Sequence, residues 1–141
     1  MPNQQQIIDA VISVIRAVTP ASGYSSNLAD CVVRDGGQAV ALGTTLQVEV
    51  RRGEKSIPQG AEFGLLRREL EIFVLVEGRG ATADNLVSTA IDDIEAALRS
   101  DNRLGGLARW VTFDHSAPMQ GYTSGEQTAQ QLTLQVGFIE N

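Results

Sequence analysis

Apolar and polar positions follow two rhythms along this chain. In the first twenty residues Ile7, Ile8, Val11, Ile12, Ile15 and Val18 recur at three-to-four spacing, which predicts an amphipathic helix with Asn3 as its cap and Pro20 as a stop. Residues 20–30, PASGYSSNLAD, are small and polar and predict a loop leading into a short strand at Cys31–Arg34. A period of two follows: Leu46, Val48 and Val50 alternate with Gln47, Glu49 and Arg51. RRGEKSIPQGAEFG then breaks the alternation with glycines and a proline, and reads as a long polar loop near residues 52–64. Beyond it Leu66, Leu70, Ile72, Val74 and Val76 mark one face of a strand. The opposite face starts charged and turns apolar at Phe73 and Leu75, so part of it should be covered.

The helical rhythm returns over residues 82–100, where Leu86, Val87, Ala90, Ile91, Ile94, Ala97 and Leu98 form one stripe. Acidic residues early and Arg99 late suit the helix dipole, and Glu95 with Arg99 is a supportive i,i+4 pair. Gly105–Gly106 predicts a turn, LARWVTFDH a strand, residues 115–127 a second long loop, and Leu132, Leu134, Val136 and Phe138 the core face of a last strand. The pattern predicts an α+β fold: a mainly antiparallel sheet of four to five strands with two α-helices packed on one face. At 141 residues the chain is expected to form a single domain, 1–141.

Composition narrows the classes of function. The longest apolar runs, about six residues, fall far short of the roughly 20 that cross a bilayer, and MPNQQQ lacks the features of a signal peptide, so a soluble protein without membrane contact is expected. Cys31 is the one cysteine, which leaves no intramolecular disulfide and reads as a small buried hydrophobe. The formal net charge is −6, and the excess sits in residues 71–141; the first half is balanced. Specific nucleic-acid binding, which draws on clustered Lys and Arg, is disfavoured.

The candidate chemistry is sparse. Gly78, Gly80 and Ala83 reproduce the G-x-G-x-x-A spacing of a dinucleotide-binding turn between a strand and a helix, but two strands without an intervening helix precede them and Asp84 would compete with a phosphate for the helix amides. Glycines that allow a tight strand-to-helix turn are the simpler reading. His115, beside Asp114, would need Glu126 or another distant carboxylate for a metal or triad site, and reads as a surface residue at a strand end. Asp92, Asp93 and Glu95 read as the solvated side of a helix. No catalytic, cofactor or metal residues are assigned. Arg51, Arg52 and Lys55, with Arg67 and Arg68, flank one loop and suggest a basic patch that meets an acidic surface of another copy, a heterologous contact able to close a ring.

The helix IIDAVISVIRAV, the strand LRRELEIFVLVEG, the helix DNLVSTAIDDIEAAL with its RSDNRLGGLARWV continuation, and the closing TLQVGF strand together resemble the tail terminator proteins of long-tailed bacteriophages, the minor tail protein U-like and tail-completion group. The resemblance covers most of the chain, and its most specific part is AALRSDNRLGGLA. It implies a non-enzymatic virion protein, assembled in the host cytoplasm, that forms a six-membered ring without cofactors. Such a ring caps the finished tail tube, meets the tail tube protein on one face and the head–tail connector or stopper protein on the other, and lets DNA pass through its lumen. By position, the subunit or tube interface is expected at Arg51, Arg52, Lys55, Gln59, Glu62, Arg67 and Arg68 around the first loop, and at Met119, Gln120, Tyr122 and Glu126 on the second. Another phage neck or head–tail joining protein is the first alternative. A small nucleotide- or ligand-binding domain using the Gly78–Ala83 turn is the second.

Overall fold

A computed structural model describes residues 3–29, 32–34, 46–57, 67–80, 82–118 and 127–139. Helix α1 runs from Gln4 to Arg16 and begins where local chemistry dictates. The Gln6 amide donates to Asn3 Oδ1 at 2.9 Å, and the Asn3 amide donates to Gln6 Oε1 at 3.0 Å, a reciprocal cap that satisfies free donors of the first turn. Ile7, Ile8, Val11, Ile12 and Ile15 are its buried side. The chain then folds back through a 3-10 turn at Pro20–Ser22, and the Leu28 amide donates to the Val18 carbonyl at 2.8 Å.

Five strands form one sheet in the order β1-β2-β3-β5-β4. They are β1 (Val32–Arg34), β2 (Leu46–Ser56), β3 (Arg67–Arg79), β4 (Trp110–Pro118) and β5 (Gln127–Ile139). β1 pairs with β2 in parallel and the other three pairings are antiparallel. Two of the expected boundaries shift. β2 carries on through Arg52–Ser56 and β4 through His115–Pro118, residues that the sequence pattern assigned to loops. Both extensions follow a bulge, between Arg52 and Lys55 in β2 and between Phe113 and His115 in β4. An extra residue in one strand reverses the side-chain phase, which erases a period-two signal in the sequence.

Helix α2 (Ala83–Ser100) joins α1 on one side of the sheet. Leu46, Val48 and Val50 of β2, Leu70, Ile72, Val74 and Val76 of β3, and Leu132, Leu134, Val136 and Phe138 of β5 all face these helices and belong to one buried cluster with them. The α+β expectation of two helices on one face of a mainly antiparallel sheet therefore holds. The other side of the sheet carries Glu49, Glu69, Glu71 and Glu77, yet its centre is not wet: Leu75, Ala129 and Thr133 are buried. That matches the expected change from charged to apolar along β3.

The run Asp101–Gly106 turns α2 into β4. The Gly105 amide donates to Asp101 Oδ1 at 3.1 Å, and Gly105 and Gly106 have φ of 68° and 96°, a left-handed backbone that glycine adopts without strain. The turn drives Leu104, 3% exposed, into the core against α1. Each residue of D-x-x-L-G-G thus has a folding role.

Candidate functional site

The basic residues singled out in the sequence lie on β2 and β3, and pairing decides which way each one projects. Residues directly opposed in an antiparallel pair share a face. Arg52 opposes Ile72, Lys55 opposes Leu70 and Arg68 opposes Phe138; these three partners are core residues, so the three cations lie on the helix side. Arg51 opposes Phe73 and Arg67 opposes Ile139, which places both on the open side. The set is thus split between two faces rather than gathered into one patch.

Their local partners differ as well. Arg51 forms a two-point contact with Glu49, Nε to Oε1 at 3.0 Å and Nη2 to Oε2 at 3.1 Å. Arg52 Nη1 reaches Gln4 Oε1 at 3.5 Å, linking the strand to the start of α1. Arg68 Nη1 donates to the Arg67 carbonyl at 2.7 Å. Gln59, Glu62, Met119, Gln120, Tyr122 and Glu126 lie outside the described residues, as does Cys31.

The first glycine of the spaced turn sits against the helix that follows it. Gly78 is buried in β3, and a side chain there would come within 2.8 Å of Val87 Cγ2 and 3.3 Å of the Ala83 carbonyl, both on the first turns of α2. Its lack of a side chain lets the helix sit on the strand. Gly80 has φ of 103° and its carbonyl accepts from the Ala83 amide at 3.1 Å, closing the turn. Ala83, Val87 and Gly78 form a packing contact, the simpler of the two readings of the motif.

The acidic residues of α2 are not uniformly solvated, as the sequence suggested. Asp93 is half-buried, and its Oδ2 accepts from the Ser26 amide at 2.9 Å, pinning the loop before β1 onto the helix. Its spacing in the sequence carried no sign of this, because the partner is 67 residues away. Glu95 pairs with Arg99 at 2.8 Å as expected, and the Arg99 guanidinium also lies 5.0 Å from the Phe113 ring centroid. Asp84 and Asp92 remain exposed. The backbone of His115 sits inside β4 opposite Thr133, past the bulge, rather than at the strand's end.

Beside Arg99 an open cleft of about 510 Å³ is lined by Arg99, Asn102, Val111, Thr112 and Phe113. It offers one guanidinium, one amide and one hydroxyl, with no carboxylate, thiol or imidazole among these residues to act as a base or nucleophile. Among the described residues no three His, Cys, Asp or Glu side chains come together to hold a metal ion. No described helix is long and apolar enough to cross a membrane. Among the described residues the arrangement provides charged surfaces and packed faces.

No family model and no curated protein sequence matches the chain. A solved structure does. A chain of the structure described as "Virion of native gene transfer agent (GTA) particle" superposes with a TM-score of 0.58, at 14% sequence identity, over 95% of this chain and 95% of that one. The likeness is one of fold. It runs nearly the length of both chains.

Proposed function

We propose that this chain is a structural virion protein of the tail-terminator type: a ring-forming subunit that caps a completed phage tail tube and joins it to the head connector. The observation that carries the reading is the end-to-end likeness of fold to a chain of a virion particle, at matching length. The sequence resemblance to tail terminators, strongest at AALRSDNRLGGLA, points the same way, and that segment supplies the α2-to-β4 turn on which the fold depends. The net charge of −6 also suits a ring through which DNA slides without being gripped.

The chemistry of this function is complementarity between surfaces. A ring subunit needs two unlike surfaces that fit each other on neighbouring copies, and a further surface for the tube. Assembly on the tube end would offset the cost of ordering segments that meet their partner only there.

Electron microscopy of the purified protein, alone and mixed with tail tubes that lack their terminator, tests the reading. Discrete annuli and tubes of fixed length bearing an extra terminal layer are expected. Binding to filled heads with no effect on tubes would replace this reading with that of a head–tail joining protein. Absence of both would remove the virion reading.

A further inference from the structure

Three of the four basic residues in positions 71–141, Arg99, Arg103 and Arg109, meet where α2 gives way to β4. Arg99 is in the last turn of α2, where it suits the helix dipole; Arg103 and Arg109 lie past the helix end. The Ala108 amide donates to the Arg103 carbonyl at 2.9 Å, so the turn brings Arg109 back beside Arg103. Asn102, next to Arg103, and Val111, two residues beyond Arg109, both line the cleft of about 510 Å³ that includes Arg99. No run of charge in the sequence announces this group, because the turn assembles it.

Arg103 and Arg109 are exposed, and neither side chain has a hydrogen-bond or ion-pair partner among the described residues. The two acids of this region are engaged. Glu95 Oε1 holds Arg99 Nη2 at 2.8 Å, and Asp101 Oδ1 accepts from the Gly105 amide at 3.1 Å. Arg99 is steadied from two sides, by Glu95 and by the Phe113 ring, whose centroid is 5.0 Å from the guanidinium carbon. A guanidinium has five N–H donors in a fixed plane, so the pair with Glu95 leaves Arg99 able to bind a further acceptor beside the cleft.

Planar donors beside an apolar wall of Val111 and Phe113 match a carboxylate carried next to an apolar side chain. A free small molecule fits less well, because an open cleft covers too little of it. A segment already held by its own fold loses less freedom on docking. A nucleic-acid strand would run onto Asp92, exposed about two turns before Arg99 on α2, and would meet a chain of net charge −6. We propose that the cleft between the C-terminal end of α2 and the start of β4 docks an acidic segment of a partner protein, with Arg99 taking one carboxylate and Arg103 and Arg109 supplying charge beside it. This contact needs no ring and stands apart from the terminator reading.

A titration both locates and weighs the contact. The probe is a short labelled peptide of glutamates interspersed with leucines, compared with the same peptide carrying glutamine in place of glutamate and with a thymidine oligonucleotide. Fluorescence anisotropy at low salt should show saturable binding of the glutamate peptide and little of the other two. Backbone NMR should place the shifted signals at Asn102, Thr112 and Phe113. Arg103→Gln with Arg109→Gln should weaken binding by about fivefold or more, since each is an exposed charge. Arg79→Gln, which removes an exposed charge before α2 begins, should leave binding unchanged. Circular dichroism checks that each variant folds.

No saturable binding, equal binding of the glutamine peptide, shifts centred elsewhere, or a double variant that binds as the wild type does would each overturn the docking proposal. Tighter binding of the oligonucleotide at the same residues would overturn it in favour of a nucleic-acid strand. Tube capping does not enter this titration, so either reading can fail while the other stands.

Discussion

Gly137 and Trp110 share a rung of β5 and β4, and the indole fills the volume that a side chain at position 137 would need. Gly137→Ala should therefore cost about 1–3 kcal/mol through overpacking, seen as a lower midpoint in urea denaturation; an unchanged midpoint would mean that the ring swings aside freely. Asn3→Ala tests the other kind of residue effect. Losing the cap of α1 should cost about 1 kcal/mol, and Asn3→Asp should restore most of it. The two residues differ in how openly the sequence declares them. Asn3 was readable as a cap because its partner is three residues away, whereas the role of Gly137 depends on which residue the sheet register sets opposite it, and no local pattern encodes that.

Among the elements, the turn from α2 into β4 is the most specified. Leu104→Ala should remove about 2–5 kcal/mol, because the side chain is inserted beside α1 where little can collapse into the gap. Asp93→Ala should instead act on one loop. The Ser26 amide would lose its acceptor, and hydrogen exchange there should speed up before any change is seen at Leu70 or Val136 in the centre of the sheet; equal acceleration everywhere would show a global effect. Helices and strand cores were legible in the hydrophobic pattern, since a buried stripe must repeat with the period of its element. The ends of β2 and β4 were not. Each crosses a bulge that reverses the phase, and the residues beyond, Lys55 and Ser56 in one and His115 to Pro118 in the other, read as loop. The same bulge in β4, with Asp114 exposed and Pro118 at the strand's end, makes this sheet edge a poor template for unwanted pairing.

At the scale of the whole molecule, charge patterning suggested contact between copies, and strand pairing divides the basic residues between two faces. A run of basic residues in the sequence says nothing about the face each one occupies; one residue of register separates Arg51 from Arg52 and sends them to opposite sides. Association through exposed charges should weaken steadily between about 50 and 500 mM salt, and sedimentation at three salt concentrations would detect it; a salt-independent mass would point to an apolar contact instead. The Gly78–Ala83 turn makes a matching prediction for ligands. Calorimetry with ATP, GTP and NAD should give no saturable heat, because Gly78 serves the packing of Val87 on the strand and Asp84 would compete with a phosphate for the helix amides, and a saturable signal lost in Gly80→Val would reverse that conclusion.

Trp110 is the chain's single tryptophan, and it lies flat against Gly137 on the side of the sheet away from the helices. Indole emission from the native protein therefore comes from that flank alone. A neighbour that settles across it would strip water from the ring and move the emission toward the blue, while one seated on the helices would leave the colour where it was. The unlabelled protein carries its own optical gauge of which flank a partner covers.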